Sequence, residues 1–149
     1  MSVNRYLTEA IRHQVGQRAQ GLCEYCHCSE AWQYVAFTVD HIIPLDEGGS
    51  NELNNLALAC FHCNRRKSNQ VSARDEQSGQ EVSLFNPRLS LWKDHFIGSA
   101  DRLSIVGLTA IGRATVSALA LNRDRILNIR LADIDVGRHP PSDDSIASS

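Results

Sequence analysis

Leu7, Ile11, Val15 and Ala19 recur at four-residue intervals, the spacing of one face of an amphipathic helix, and Gly21 follows as a stop. This spacing predicts a helix over 7–20 whose apolar stripe packs on a core and carries no chemistry. Residues 33–41, QYVAFTVDH, change to alternation among β-branched and aromatic side chains. That predicts a strand with Val35, Phe37 and Val39 on one face and Asp40-His41 at its end. Pro44, Gly48-Gly49 and Asn51 make 42–54 a loop. LALAC, ending at Cys60, reads as a second short strand, and 61–70 as a polar helix carrying Cys63 and Asn64.

The pattern then loosens. VSARDEQSGQEVSLFNPR is rich in turn formers, with Asp75 and Gly79 as breakers. Phe85, Trp92 and Phe96 are expected to pack this arm back on the core. Residues 103–106 read as a short strand. Thr109 is placed to cap a helix to about Leu121, and Asn122 a second to about Ile134. RHPPSDDSIASS is polar and reads as a disordered tail. The expected organisation is an N-terminal helix plus core over 1–70, a C-terminal extension packed on that core over 71–136, and a tail over 137–149.

A chain of 149 residues with 42% hydrophobic side chains suits one domain, or a small core with an extension. Small cores often need a staple, and bound metal is one. No apolar run approaches membrane-spanning length, and the opening MSVNRYLTEAIRHQ lacks the apolar centre of a signal peptide. Both point to a cytoplasmic, reducing setting in which the five cysteines bind metal rather than pair. A net charge of −2 excludes a uniformly basic nucleic-acid binder. The distribution says more: from Cys60 to Arg74 lie Arg65, Arg66, Lys67 and Arg74 with no acid, a local cationic patch.

Cys23, Cys26, Cys60 and Cys63 form two C-x-x-C pairs. Each pair can bite one ion, and together they supply the four thiolates of a closed tetrahedral zinc site. Such a site keeps no position for water, so this zinc is expected to be structural. His27 and Cys28 form an alternative ligand set close by. Any chemistry falls to the residues that the cysteines bracket.

CEYC, VDHIIP, GGSNELNNLALAC and CNRRK, over roughly residues 18–70, resemble the HNH endonuclease family. LFNPR, W-x-x-HF and GLT-x-x-GRAT resemble an extension found on small stand-alone bacterial members. The resemblance implies an α+β fold: a treble-clef-like ββα-metal core with an N-terminal helix and a C-terminal helical extension. It puts the first signature histidine at His41, as general base, and the signature asparagine at Asn55. The third signature position, His or Asn in the family, falls on Asn64. Asp40 matches an acid that binds the catalytic metal in many members. An imidazole changes protonation near neutral pH, as a base for water must. Asp40 carboxylate and Asn64 amide oxygen suit a hard Mg²⁺ or Mn²⁺ ion, whereas the cysteines suit zinc. Asn55 is expected to bond backbone across the loop and to fix the His41 ring. Arg65, Arg66 and Lys67 would hold phosphates of a DNA partner. The expected products carry 5′-phosphate and 3′-hydroxyl ends. A non-catalytic zinc module binding nucleic acid, and a zinc-stapled scaffold docking through its C-terminal helices, are the alternatives. No coiled-coil seam specifies an oligomer.

Overall fold

The protein is described by a computed structural model over residues 7–140. The last part of the expected tail, 141–149, lies outside the described residues. Helices mix with small antiparallel sheets, and the chain divides into two compact units. One runs up to Val71 and takes in Asn86–Leu89; the other comprises Ser72–Phe85 and the chain from Ser90 on.

In the first unit, helix α1 spans Glu9–Arg18, with the Thr8 hydroxyl accepting from Ile11 N at the N-cap. The four-residue apolar stripe does what its spacing predicts. Val15 is fully buried against Leu56 and Leu58, and Leu7, Ile11 and Ala19 pack around them. Strand β1, Thr38–His41, pairs antiparallel with β2, Leu56–Ala59, in the register Thr38↔Ala59 to His41↔Leu56. Helix α2, Phe61–Lys67, follows directly, with Cys60 as its N-cap. This is the strand–strand–helix order that the periodicity predicts.

The expected strand over 33–41 is shorter at its start. Residues 33–37 have no strand partner among the described residues, because the chain opposite turns into α2 immediately after Ala59. Phe37 still packs on the core, but Val35 is 57% exposed and does not join its face. The first C-x-x-C turn is laced to β2: Glu24 N donates to Leu58 O (2.8 Å), and Glu24 Oε2 accepts from Leu58 N (2.8 Å). The other Glu24 oxygen is ion-paired with Arg88. Arg18 donates to the carbonyls of Leu53 (2.9 Å) and Leu56 (2.6 Å), fastening the end of α1 to the start of β2.

The second unit contains a hairpin that its turn-rich sequence does not reveal. β3, Ser72–Asp75, pairs with β4, Gln80–Ser83. A one-turn helix α3, Trp92–His95, leads into β5, Phe96–Gly98, which pairs with β6, Ile105–Gly107. Helix α4, Ala110–Ala118, is capped by Thr109 as its sequence predicts. Helix α5 is Asp124–Asp135 with Arg123 at its N-cap, so Asn122 is not the cap. Its amide instead spans the backbone of Ile105, accepting from N (2.7 Å) and donating to O (2.8 Å). Phe85 meets Phe96 edge to face and Trp92 packs tilted against Phe96 within this unit, with ring centroids 5.2 and 5.0 Å from Phe96. They belong to this unit's own core. No helix among the described residues is long and apolar enough to cross a membrane.

Asp75, at the end of β3, receives Arg113 Nε at 3.0 Å and Nη2 at 2.9 Å, a bidentate pair joining the hairpin to α4. These donors, followed by Ser78, hold the carboxyl well below the usual carboxylate range. The folded value lies below the unfolded one. The stabilisation is therefore complete above about pH 4 and is lost as pH falls further. Arg113→Met is expected to lower the Tm at pH 6, with a narrower gap from wild type at pH 3. Thermal melts at both values check this, and an equal gap at both would contradict it.

Candidate functional site

The sulfurs of Cys23, Cys26, Cys60 and Cys63 all lie within 4.8 Å of one another, and all four residues are buried. A tetrahedral zinc with Zn–S near 2.3 Å separates its sulfurs by about 3.8 Å. Cys26 and Cys60 Sγ are 3.8 Å apart, so the donor set fits that ion. Backbone N–H groups of Cys26 and Cys63 point at the first sulfur of their own pairs, Cys23 (3.5 Å) and Cys60 (3.4 Å). Burial pushes the Cys23 thiol up, while hydrogen bonds from Cys23 and its neighbours pull Cys26 and Cys60 down. Four thiolates packed this closely would need a cation between them. Cys28 Sγ sits 3.3 Å from Cys26 Sγ, closer than a tetrahedral edge, and stands outside the four-sulfur group.

A cleft of about 590 Å³ is lined among others by Arg12, Asp40, His41, Asp46, Asn64 and Arg65. His41 is the last residue of β1. Its Nε2 lies 2.7 Å from Asn51 Oδ1. An amide oxygen only accepts, so Nε2 carries the proton and Nδ1 is left with the lone pair.

Asn55 stands behind this arrangement. Its Oδ1 accepts from Ile43 N, and its Nδ2 donates to the carbonyls of Ile43 and Ser50, each at 2.9 Å. It bonds backbone across the loop, as the sequence reading expects, and pins Ser50, the residue before Asn51. Its hold on the His41 ring passes through Asn51, which a sequence reading passes over as a loop former. Gly49 is required here: a Cβ would fall onto the Ile43 carbonyl.

Asp40 is 5% exposed. Its Oδ2 accepts from Tyr25 OH (2.7 Å) and faces Lys67 Nζ at 3.1 Å, with Oδ1 at 3.4 Å from the same ammonium. Burial pushes this carboxyl up, and Lys67, Tyr25 and His41 pull against it. Burial, aided by the Asp40 charge, raises the Tyr25 phenol. Tyr25 lies between the first two cysteines, so the metal turn and the cleft share a hydrogen bond.

Lys67 requires a correction. It is 1% exposed, and its ammonium also donates to the carbonyls of His41 (3.2 Å) and Ile42 (2.9 Å). A side chain committed to three groups inside the fold is not a phosphate contact. The sequence places Lys67 next to two arginines, but a helix turns each successive side chain by a large angle, and this one faces inward. Arg65 lines the cleft; Arg66 is exposed but is not among its lining residues. Asn64 lines the cleft from α2. Thus the structure gathers Asp40, His41, Asn64 and Arg65 at one opening, keeps Asn55 behind the loop, and turns Lys67 into the interior.

Residues 23–70 match the family model of the HNH endonuclease, and that segment holds all four clustered cysteines. No curated protein matches the chain.

Removing one member of a buried ion pair leaves the other charge stranded, at a cost of roughly 3–5 kcal/mol. Lys67→Met is expected to lose stability on that scale in urea unfolding, and Lys67→Met with Asp40→Asn to recover part of it. A Lys67→Met variant as stable as wild type would place the ammonium in solvent and contradict the pair.

Proposed function

We propose that the HNH domain at residues 23–70 makes this chain a metal-dependent endonuclease that hydrolyses DNA phosphodiester bonds. The observation that carries this reading is the His41 ring, which lines a cleft with Asp40 and Asn64 while Asn51 fixes its tautomer. A purely binding module has no use for an imidazole oriented in this way.

The domain is read as a ββα-metal core. Zinc in the four-sulfur cluster serves structure, because a closed thiolate site offers no open position. Asp40 Oδ1, which takes a 3.4 Å contact from Lys67 Nζ, and the Asn64 amide oxygen would be the hard donors that hold Mg²⁺ or Mn²⁺ in the cleft. When bound there, such an ion neutralises a phosphate oxygen and eases departure of the 3′ oxygen. His41 Nδ1 takes the proton from water as the water oxygen bonds to phosphorus and the P–O3′ bond breaks. The 3′ oxygen leaves to be protonated from solvent, which gives 5′-phosphate and 3′-hydroxyl ends. Asn51 holds the Nε2 side of the ring throughout, and Asn55 holds the loop that carries Asn51. Arg65 and Arg66 contact the backbone phosphates, which needs no base recognition.

A plasmid-nicking assay with Mg²⁺, Mn²⁺ or EDTA tests the reading. Wild type is expected to cut with either metal and not with EDTA. His41→Ala is expected to lose about 10²–10⁴-fold in rate, as for a general base, while retaining its zinc by elemental analysis. Unimpaired cutting by His41→Ala would remove the assigned base. DNA binding by wild type with no metal-dependent cutting would leave the non-catalytic zinc module.

Cys60→Ser is expected to lose zinc and several kcal/mol of stability, since metal binding and folding are one equilibrium in such sites. Unchanged melting together with an absence of zinc in wild type would rule out the cluster as a staple.

A further inference from the structure

We infer that Arg12 is a phosphate-binding residue of the cleft, which makes α1 part of the nucleic-acid site as well as a packing element. This rests on the nuclease reading above and adds a contact to the same site. The helix lies outside residues 23–70, so the family match says nothing of it.

The scaffold is rigid where it matters. Val15, one turn after Arg12, is fully buried against Leu56 and Leu58, and Ile11, the preceding residue, packs against the same cluster. Arg18 ties the far end of the helix to the carbonyls of Leu53 and Leu56. Arg12 itself is exposed and lines the cleft with Asp40, His41, Asn64 and Arg65. Among the described residues its guanidinium enters no hydrogen bond or ion pair.

Charge sharpens the case. The cleft lining includes two carboxylates, Asp40 and Asp46, so a polyanion entering it needs fixed positive charge. Lys67, which the sequence offers for that purpose, is consumed by Asp40 and two carbonyls. Among the described residues, Arg12 from α1 and Arg65 from α2 are the guanidinium groups that line the opening. A guanidinium presents a planar fork that matches a phosphate's oxygens, and it stays charged at all working pH values. Two of them, from helices far apart in sequence, can hold two phosphates of one strand while His41 addresses the bond between.

Anisotropy titrations of a short duplex DNA without added divalent cation test the assignment, run across about 50–200 mM salt. Wild type, Arg12→Ala, Arg12→Lys, Arg65→Ala and Gln14→Ala would be compared. Gln14 is an exposed α1 residue that does not line the cleft. Arg12→Ala is expected to weaken binding about 3–10-fold and to reduce the slope of log K against log salt by about one phosphate. Arg12→Lys is expected to restore the slope but only part of the affinity, and Gln14→Ala and all thermal melts to stay as wild type. Wild-type affinity and slope in Arg12→Ala, with Arg65→Ala weakened, would overturn the inference and leave the nuclease reading standing. Absence of DNA binding by wild type itself would overturn both.

Discussion

Four sulfur atoms drawn to one point hold the first unit together. Cys26 and Cys60 are 34 residues apart in sequence and 3.8 Å apart at their sulfurs. Closing a loop of that length costs chain entropy, and two strands of four residues each return little by themselves. The core under them consists of Val15, Leu56 and Leu58 with a fringe of half-buried neighbours. A cation held by the sulfurs would supply what so small a core cannot, and would set the C-x-x-C turn against the start of α2.

The polar interior is built outward from that closure. Tyr25, held between two of the cysteines, reaches the Asp40 carboxylate. Lys67, at the end of the helix that Cys60 begins, reaches the same carboxylate and the carbonyls beyond it. The end of β1 is therefore held from both sides, which fixes the backbone from which His41 projects. Asn55 closes the loop, and Asn51 meets the ring. The hydrogen bond to the Asn51 amide orients the His41 ring without adding charge. Asp40 of the ion pair lines the cleft, as do Arg12 and Arg65, while Lys67 stays in the interior.

The second unit is stabilised differently. It has an aromatic cluster at Phe85, Trp92 and Phe96, a bidentate pair at Asp75–Arg113 and a buried Arg130 whose donors reach the carbonyls of Leu103 and Leu121. None of these uses metal. Asn122 shows the economy of the arrangement: one amide satisfies both backbone groups of Ile105 and also accepts from Arg130.

Some of this was legible because it depends on local spacing. The period of Leu7, Ile11, Val15 and Ala19 names a buried helix face, and the hydroxyl of Thr109 suits a helix start. Two C-x-x-C pairs name a metal ligand set, and VDH with CN names residue types suited to the HNH reading. Other features depended on partners that no spacing announces. The first strand begins only at Thr38 because its neighbour becomes a helix beyond Ala59. The Ser72–Ser83 hairpin hides behind charged residues that face solvent. Asn51, Tyr25 and Arg12 reach the site only through folding of segments distant in sequence. Lys67 reads as one more cation in a basic run. Sequence alone thus determined which side chains are available and which helix and strand periods they favour, since those follow from the chain's local geometry. Tertiary structure decided which charges are buried, which nitrogen of His41 stays open and which arginines face the cleft, because each of those depends on the atoms brought alongside.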